Sequence, residues 1–517
     1  HFISMGNEAD VTETDLIEYL GEDPGTRVIA TYVEQIKDGR RFMEVARRVS
    51  RVKPIVLLKG GRSSAGARAV SSHTGSLAGS YSAYQAAFKQ AGVIEVDTLN
   101  ALFETALAFD FQPLPAGRRA VIITNAGGPA ALASDALSAN GLVLDDLEPE
   151  TRASLRAALN PAAQVGNPVD ILGGAEPPDY ALCTSILMND DCVDIVLPLL
   201  VPQALVSSAG VAQAVVDASA AREKTVLACI MGDISIDEAR LTLHENRIPM
   251  YTQHEAMGTV LKAMLDYREW LARPAVTPPT LMGIDRAAAA MVLKQAAGNA
   301  SLGEAETRPL LAAYGIPQVE GGFAASAAAA VDVAQRIGYP VVMKIVSPQL
   351  LHKSDVGGIR LNLADGAAVQ QAYSAMMAEI GAARPEAVLE GVMVECMAPR
   401  GQEVIIGMRR DPGFGPLMMF GLGGIYVELF KDVSFRVAPL SAEDARQMIT
   451  ETRAGRLLTG FRGQPRADLD AVVEVMLRLS QLALDHPEIE EAEVNPLLVF
   501  SEGQGALALD GRVILGK

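Results

Sequence analysis

The stretch RAVIITNAGGPAALASDALSANG (119–141) begins with a short apolar run and turns at Asn125–Gly128. It continues as an Ala-rich segment that ends at Asn140-Gly141. A buried strand, a Gly-containing turn and a helix closed by Asn-Gly together form the repeating unit of a parallel α/β sheet. This stretch therefore predicts an α/β domain around residue 120.

Similar apolar runs lie on both sides of this stretch and alternate with helical patterns. They are RVIATYVE (27–34), KPIVLLKGG (53–61), DIVLPLLVP (194–202) and KTVLACIMG (224–232). Such alternation predicts parallel sheets with helices on both faces. Proline-bearing breaks at 112–119 and 273–283 are typical of linkers. We therefore predict three domains, which span residues 1–112, 117–273 and 284–517.

The pattern changes after residue 284, where the apolar runs become longer. They are YPVVMKIVSP (339–348), GVMVECMAPRGQEVIIGMRRD (391–411), EEAEVNPLLVF (490–500) and GALALDGRVIL (505–515). Their spacing is that of β-hairpins, both within 391–411 and between the last two runs. The third domain is therefore predicted to be α+β.

Composition excludes several classes of protein. The chain has 517 residues, is 49% hydrophobic and carries 44 Lys+Arg against 62 Asp+Glu, a net charge of −18. This hydrophobic content excludes a disordered chain, and the negative charge disfavours binding to nucleic acid or to an anionic membrane. No charge-free apolar run reaches the roughly 18 residues of a membrane span. The four cysteines form no CxxC pair, which fits a soluble protein of the reducing cytoplasm without zinc or disulfides.

The segment SSHTGSLAGS (71–80) places His73 among small residues and near two glycines. This composition predicts a tight loop that enters a helix and exposes the imidazole, which can act as a nucleophile. Glu34, at the end of a predicted strand, is a candidate carboxylate partner. The alternative is an ordinary loop histidine.

Two strand–Gly turn–helix junctions are predicted, in SMGNEADV (4–11) and in ITNAGGPAALASDAL (123–137). Free backbone N–H groups and the helix dipole would make each an anion site. Neither is a Walker A motif or a GxGxxG fingerprint, and such turns are common in α/β proteins. The candidate anion-binding residues are Gly6, Asn7, Asn125, Gly127 and Gly128.

In the third domain, SPQLLHKSDVGGIRLNL (347–363) carries His352 in a polar loop, for which a surface hairpin is the alternative. Lys344 lies within an apolar strand, where its charge requires an anionic partner. Near the chain end, Glu493, Asn495 and Asp510 lie on one predicted hairpin. Their oxygens suit Mg²⁺, with solvated polar side chains as the alternative.

The order of these motifs along the chain resembles that of the NDP-forming (ADP-forming) acyl-CoA synthetases, relatives of succinyl-CoA synthetase. The resemblance rests on SSHTGSLAGS, ITNAGGPAALASDAL, GNPVDILGG, YPVVMKIVSPQLLHKSDVGG, GQEVIIG and AEVNPLLV and covers essentially the whole chain. It implies an α/β protein with two flavodoxin-like parallel-sheet ligase domains followed by an α+β ATP-grasp domain. In that family a CoA-binding Rossmann domain precedes them, and the present sequence is expected to begin inside the first ligase domain.

By this resemblance, His73 is the phosphohistidine, Glu34 the glutamate that stabilises it, and His352 the histidine that relays the phosphoryl group from the nucleotide. The glycine turns of both ligase domains would direct helix N-termini towards the phosphohistidine and the acyl phosphate.

The resemblance also assigns the nucleotide site. Lys344 would contact nucleotide phosphate, Glu395 and Met397 would lie at the adenine hinge, and Glu403 would contact ribose. Asn495 and Asp510 would be the Mg²⁺ ligands, with Glu493 as a further candidate.

The implied activity converts a carboxylic acid, ATP and CoA to acyl-CoA, ADP and phosphate through phosphohistidine and acyl phosphate, with Mg²⁺. Relatives are commonly homo-oligomers, so a homodimer is expected. The alternatives are a CoA-dependent lyase on the same scaffold and a non-catalytic sensing module of an acetyltransferase fusion. Sensing modules often lose the phosphorylated histidine, so the presence of His73 favours catalysis.

Overall fold

The computed structural model of the chain falls into two compact units. One comprises His1–Ala78 and Phe88–Pro274, and the other comprises Gly79–Ala87 and Ala275–Lys517. The structure describes residues 1–6, 8–63, 65, 80–221, 223–274, 277–347, 349–350, 353–423, 432–463 and 465–516. Within these residues no helix is both long and apolar enough to cross a membrane.

Helices and strands alternate along the part of the chain up to Pro274. In the region before the predicted linker at 112–119 they are α1 (Glu13–Glu22), β1 (Ile29–Val33), α2 (Gly39–Ser50), β2 (Ile55–Lys59), α3 (Tyr81–Ala91), β3 (Ile94–Val96) and α4 (Leu99–Phe111). After it they are β4 (Ala120–Thr124), α5 (Gly127–Ala139), α6 (Pro149–Ala158), β5 (Gln164–Val165), β6 (Val169–Asp170), α7 (Pro177–Met188), β7 (Ile195–Leu200), α8 (Ser208–Ala218), β8 (Thr225–Val226), β9 (Ala228–Ile230), α9 (Asp237–Glu245), β10 (Met250–Tyr251) and α10 (His254–Ala272).

Two sheets organise this part of the chain. The first has the order β1-β2-β3, and its strands are parallel. The second has the order β10-β9-β7-β4-β6-β5, and it is parallel except at the β5–β6 pair. Every residue of β7, IVLPLL, is buried, as expected for a strand covered on both faces. The predicted parallel α/β sheets are confirmed.

Helix α10 joins the two sheets into one core. Its residues Tyr267 and Trp270 pack with Val56 and Ile94 of the first sheet. The Tyr267 hydroxyl donates to the backbone oxygen of Ser50 at 2.7 Å. A helix that closes the second domain thus completes the hydrophobic core of the first.

Gly92 lies against this core in a backbone conformation (φ 73°) that only glycine adopts readily. A Cβ at Gly92 would lie 2.4 Å from Cε2 of the Trp270 ring. We expect Gly92→Ala to lower the free energy of unfolding by about 3 kcal/mol, because strain and overpacking add. Trp270 is the sole tryptophan of the chain, so its fluorescence reports this transition directly.

The matched control is Gly174→Ala, because a Cβ at Gly174 would meet no atom within 4 Å. Its unfolding midpoint should equal that of the wild type. An unchanged midpoint for Gly92→Ala would contradict the packing described.

The second unit contains longer strands and an antiparallel arrangement. Its elements up to the strand that carries Glu395 are α11 (Arg286–Gln295), β11 (Ser301–Leu302), α12 (Glu304–Ala313), β12 (Gly321–Ala324), α13 (Ala327–Ile337), β13 (Val341–Val346), a 3₁₀ turn (Lys353–Val356), β14 (Ile359–Leu363), α14 (Gly366–Ala383) and β15 (Gly391–Cys396). The remainder are β16 (Gln402–Asp411), β17 (Gly415–Leu422), β18 (Val433–Val437), α15 (Ala442–Thr450), α16 (Arg453–Leu458), α17 (Leu469–Asp485), β19 (Ile489–Val499), β20 (Ala506–Ala508) and β21 (Gly511–Leu515).

These strands form one sheet in the order β12-β15-β13-β14 and another in the order β11-β21-β19-β16-β17-β18, with β20 beside β19. The predicted hairpin near the chain end is confirmed by the pairing of β19 with β20 and β21. The hairpin expected within 391–411 is wrong. Strand β15 pairs with β12 and β13, whereas β16 pairs with β17 and β19, so the chain changes sheets between them.

Candidate active site

The first candidate site lies where β1 and β2 end side by side. Val33 of β1 pairs with Lys59 of β2, and Glu34 is the next residue after Val33 along the chain. The Tyr32 hydroxyl donates to Oε1 of Glu34 at 3.1 Å, and Nζ of Lys59 donates to the backbone oxygen of Glu34 at 2.7 Å. Burial lowers the pKa of Lys59, although the charge of Glu34 partly opposes this effect. A carboxylate and a partly desolvated ammonium thus meet at the carboxyl edge of the sheet.

Gly60, the residue after β2, lies close to the side chain of Tyr32. A Cβ at Gly60 would lie 2.7 Å from the Tyr32 hydroxyl oxygen, the atom that holds Glu34. His73 lies outside the described residues, so its predicted pairing with Glu34 stays a prediction. The structure places Glu34 where the sequence predicted it, immediately after a strand.

The second candidate site is the turn between β4 and α5. Gly127 and Gly128 open α5 and are exposed, and a Cβ at Gly128 would meet no atom within 4 Å. The N-cap residue, Ala126, makes no side-chain capping bond. The first-turn amides of α5 therefore lack a side-chain cap, which is the condition for an anion site at a helix N-terminus.

The side chain of Asn125 holds the turn in place. It is buried, and its amide nitrogen donates to the backbone oxygen of Val201 at 2.9 Å. Its side-chain oxygen accepts from the backbone N–H of Val201, also at 2.9 Å. Both ends of the amide therefore connect the loops that follow β4 and β7, and Asn125 shapes the turn rather than presenting its side chain to an anion.

The position of this turn in the sheet supports a binding role. The chain passes from β4 to β6 on one side and then to β7 on the other. Ligands bind in open α/β sheets at such a switch point, outside the carboxyl ends of the strands. Asp170, at the end of β6, lies beside it, with its Oδ2 3.7 Å from where a Cβ of Gly127 would stand.

The strand–turn–helix junction predicted around Gly6 differs in the structure. None of residues 1–6 lies in a strand, and Asn7 lies outside the described residues. Helix α1 begins only at Glu13, and Thr12 and Asp15 form a capping box that engages the backbone N–H groups of both residues. The helix therefore does not directly follow Gly6, and phosphate binding at Gly6 and Asn7 stays a prediction.

The third candidate site is a buried ionic cluster around Lys344 of β13. Nζ of Lys344 lies 2.7 Å from Oε2 of Glu395 and 3.5 Å from Oε1 of Glu304. Glu304 begins α12, and Arg308, one helical turn later, also pairs with Glu395. Lys344 and Glu395 are diagonal neighbours on adjacent strands, so their side chains share one face of the sheet.

Two residues complete this ionic cluster. Lys353, at the start of the 3₁₀ turn, pairs with Glu304 and lies 2.8 Å from Oδ2 of Asp510. Among the described residues, the ionic cluster balances three cationic side chains (Lys344, Lys353, Arg308) against three carboxylates (Glu304, Glu395, Asp510). Such balance is what allows buried charges to persist.

Burial and the neighbouring charges shift the pKa values of these groups. Burial alone would raise the pKa of Glu304, but Lys344 and Lys353 hold it below its ordinary value. Burial and the charge of Glu304 raise the pKa of Asp510, although Lys353 opposes them. Burial would lower the pKa of both lysines, but the carboxylates raise it. The lysines therefore stay charged at neutral pH.

The predicted metal ligands Asn495 and Asp510 are brought together across the β19–β21 hairpin. The backbone N–H of Asn495 donates to the backbone oxygen of Asp510 at 3.1 Å. The Asn495 side chain also hydrogen-bonds Glu493, whose pKa burial raises despite this bond. A carboxylate accepts from the amide nitrogen, so this bond does not use the carbonyl oxygen that would bind a metal. Glu493 is thus placed to orient Asn495, and its role as a further ligand stays a prediction.

This donor set of oxygen atoms fits a hard divalent cation such as Mg²⁺. Among the described residues no group of three or more His, Cys, Asp or Glu side chains is arranged to hold a metal ion. Mg²⁺ is usually bound through one or two carboxylates, with the remaining positions filled by water and substrate phosphates. One carboxylate and one amide beside a lysine therefore suit a nucleotide-bound Mg²⁺.

The predicted nucleotide contacts differ in their exposure to solvent. Glu395 lies near the end of the central strand β15, buried against Lys344 and Arg308, and its predicted place at the adenine hinge stays a prediction. Met397 directly follows this strand. Glu403 is exposed near the start of β16, as a ribose contact requires.

His352 lies outside the described residues, and its role stays a prediction. Four residues that were not predicted from the sequence also lie at these sites: Lys59, Glu304, Arg308 and Lys353. Lys353 could have been noticed, because it directly follows His352. Glu304 carried only the signal of an acidic residue in the first turn of a helix.

Comparisons with known families and proteins agree with this architecture. The succinyl-CoA ligase-like flavodoxin domain matches residues 1–109, the ligase-CoA domain matches 120–276, and the ATP-grasp domain matches 294–515.

Individual relatives match over the whole chain. Acetate–CoA ligase (ADP-forming) I of Archaeoglobus fulgidus is 41% identical over 517 residues, covering 100% of this chain and 74% of that protein. The 4-hydroxybutyrate–CoA ligase (ADP-forming) of Nitrosopumilus maritimus is 37% identical over 99% of this chain and 74% of its own length. A solved structure of the dinucleotide-forming acetyl-coenzyme A synthetase 1 of Ca. Korarchaeum cryptofilum, with phosphate and ADP, matches with a TM-score of 0.50 and 34% identity. It covers 52% of this chain and 59% of that one.

The chain therefore belongs to the ADP-forming acyl-CoA ligase family, which combines succinyl-CoA ligase-like domains with an ATP-grasp domain. It is an acid–thiol ligase, an ADP-forming acyl-CoA synthetase.

Proposed function

We propose that the chain converts a carboxylic acid, ATP and CoA to acyl-CoA, ADP and phosphate by a phosphoryl relay from His352 to His73. The observation that carries the nucleotide half of this proposal is the convergence of Lys344 and Asp510. They are far apart in sequence, yet Nζ of Lys344 donates to the backbone oxygen of Leu509, next to Asp510. The lysine proposed to bind phosphate and the carboxylate proposed to hold the metal thus lie close together, which supports a role in phosphoryl transfer.

In this proposal the ATP-grasp unit holds the nucleotide. Lys344 binds phosphate, the segment at Met397 contacts adenine, and Glu403 contacts ribose. Asn495 and Asp510 hold Mg²⁺, which neutralises charge on the phosphates during transfer. A ring nitrogen of His352 then attacks the γ-phosphorus, the bond to the β-phosphate oxygen breaks, and ADP leaves.

The ligase unit carries the remaining steps. The phosphoryl group passes to a ring nitrogen of His73, whose other nitrogen would be oriented by Glu34. A substrate carboxylate oxygen next attacks phosphorus, which frees His73 and forms the acyl phosphate near the amides of Gly127 and Gly128. The CoA thiolate then attacks the acyl carbon, phosphate leaves, and acyl-CoA forms. Backbone N–H groups in fixed positions stabilise the developing negative charge without reorganisation.

The decisive experiment is phosphorylation with γ-labelled ATP and Mg²⁺, followed by mapping of acid-labile, base-stable label. We expect label on His73 in the wild type. In His352→Ala, label from ATP should be lost, whereas label from added acyl phosphate should remain, because that route enters at His73 directly.

His244→Ala is the matched control, because His244 is exposed on α9 and packs on Phe111. Its labelling should equal that of the wild type by both routes. Undiminished labelling of His73 from ATP in His352→Ala would refute the relay.

The relatives compared above are ligases, so neither the lyase nor the sensing module is favoured. Accumulation of acyl-CoA separates the ligase from a lyase that consumes a CoA adduct. Acetate and 4-hydroxybutyrate, the acids named for two relatives, are the first substrates to test.

We further propose that the protein acts in the cytoplasm as a homodimer. All four cysteines are free, which fits a reducing compartment. Light scattering on the purified protein tests the dimer, and a monomeric mass would contradict it.

A further inference from the structure

Lys353 makes a contact that the relay does not explain. Its side chain is largely buried, and its ammonium is shared between Glu304 and Oδ2 of Asp510, the latter at 2.8 Å. The other oxygen of Asp510, Oδ1, accepts from the backbone N–H of Gly511 at 2.9 Å. Both oxygens of the candidate metal ligand are therefore engaged within the described residues.

A divalent cation bound at Asp510 would compete with this ammonium. Two cations cannot both stand within bonding distance of Oδ2 at low cost, because like charges repel strongly where water is scarce. The metal cannot readily use Oδ1 instead, since Oδ1 already accepts a hydrogen bond from the backbone N–H of Gly511. Metal binding at Asp510 therefore requires Lys353 to give up its bond to Oδ2.

Glu304 can keep Lys353 paired after a metal displaces it from Asp510. Its carboxylate already pairs with Lys353, and its other oxygen faces Lys344 at 3.5 Å. When Lys353 leaves Asp510, its charge thus stays paired in the buried site, and full exposure to water is unnecessary. The ion pair between Lys353 and Asp510 can therefore break without leaving the ammonium unpaired.

We propose that Lys353 is an internal counter-cation of the metal site, which occupies Asp510 until a divalent cation arrives together with nucleotide. This inference rests on the assignment of Asp510 in the proposed function. Lys353 makes the site select for the metal–nucleotide complex. Free metal must displace the ammonium from Oδ2 and brings it no new acceptor, so that only Glu304 remains, whereas the nucleotide brings phosphate oxygens to which the displaced ammonium can donate.

The test measures binding of Mn²⁺ in the absence of nucleotide, by electron paramagnetic resonance of the free ion. Loss of a charged hydrogen bond that competes with the metal should tighten binding by about tenfold or more in Lys353→Gln. Lys353→Arg keeps the charge and should bind as weakly as the wild type. Lys294→Gln, at an exposed position on α11, controls for net charge and should also match the wild type.

Two further results are required. The tighter binding must vanish in the double variant Lys353→Gln/Asp510→Asn, since it is assigned to Asp510. Equal Mn²⁺ affinity of the wild type and Lys353→Gln, or tighter binding that survives loss of Asp510, would overturn the proposal.

A second measurement needs no variant. Amine acetylation of the wild type, followed by mass spectrometry, should modify Lys353 slowly without metal and several-fold faster with saturating Mg²⁺ alone, because one of its two carboxylate bonds is then lost. Lys294 serves as the internal reference. An unchanged ratio of the two rates would contradict the proposal.

These measurements use neither acid nor CoA, so they are independent of the ligase reaction. Failure of acyl-CoA formation with the expected Mn²⁺ result would count against the relay alone. Normal acyl-CoA formation with unchanged Mn²⁺ binding would count against the role of Lys353 alone.

Discussion

The His73→Ala variant should form acyl-CoA from ATP at less than about one thousandth of the wild-type rate, because it lacks the nucleophile that carries the phosphoryl group. Its affinity for ATP should be unchanged, since the residues assigned to the nucleotide, Lys344 and Asp510 among them, belong to the other compact unit. Acyl-CoA is measured by chromatography, and ATP affinity by calorimetry.

His244→Ala again provides a matched control with full activity. The fluorescence transition of Trp270 in His73→Ala should coincide with that of the wild type, which separates a chemical loss from unfolding. Acyl-CoA formation at the wild-type rate in His73→Ala would remove this residue from the mechanism.

The second large effect is expected for Asp510→Asn. The amide has the shape of the carboxylate but lacks its charge, so its attraction for a divalent cation is largely lost, whereas Lys353 keeps Glu304 as partner. The value of kcat/KM for ATP should fall by about a hundredfold or more. The Mg²⁺ concentration needed for half-maximal activity should rise.

Glu490→Gln removes an exposed carboxylate from the same strand that carries Asn495 and is the matched control. It should leave the Mg²⁺ dependence unaltered. An Asp510→Asn enzyme with the wild-type Mg²⁺ dependence would place the metal elsewhere.

The strands that position these sites were predictable because each is a nearly continuous apolar run. Periodicity reports burial, and burial of β4 and β7 on both faces leaves little ambiguity. The pairing of the strands was harder to predict from the sequence. Strands β15 and β16 have the spacing of a hairpin, yet they belong to different sheets, a choice that depends on partners such as β13 and β19, which are 45 to 97 residues away.

The same limit applied to the site residues. Lys344 was identifiable because a lysine inside an apolar strand needs an anion, but the anions themselves were not. Glu304 resembles any acidic residue of a helix first turn, and the pairing of Glu395 with Lys344 and Arg308 has no local signal in the sequence. The capping box of α1 was readable as a pattern, but the distance from Gly6 to the start of the helix was not predicted.

The helix α10, which closes the core of the first sheet with Tyr267 and Trp270, determines where the polypeptide can be divided. A cut near residue 115 would strip the first sheet of part of its apolar covering and leave Trp270 facing water. A cut after Pro274 leaves both sheets and their common core in one piece. Gene fusion, fission or exchange of modules in this chain should therefore treat the two ligase domains as one inheritable block.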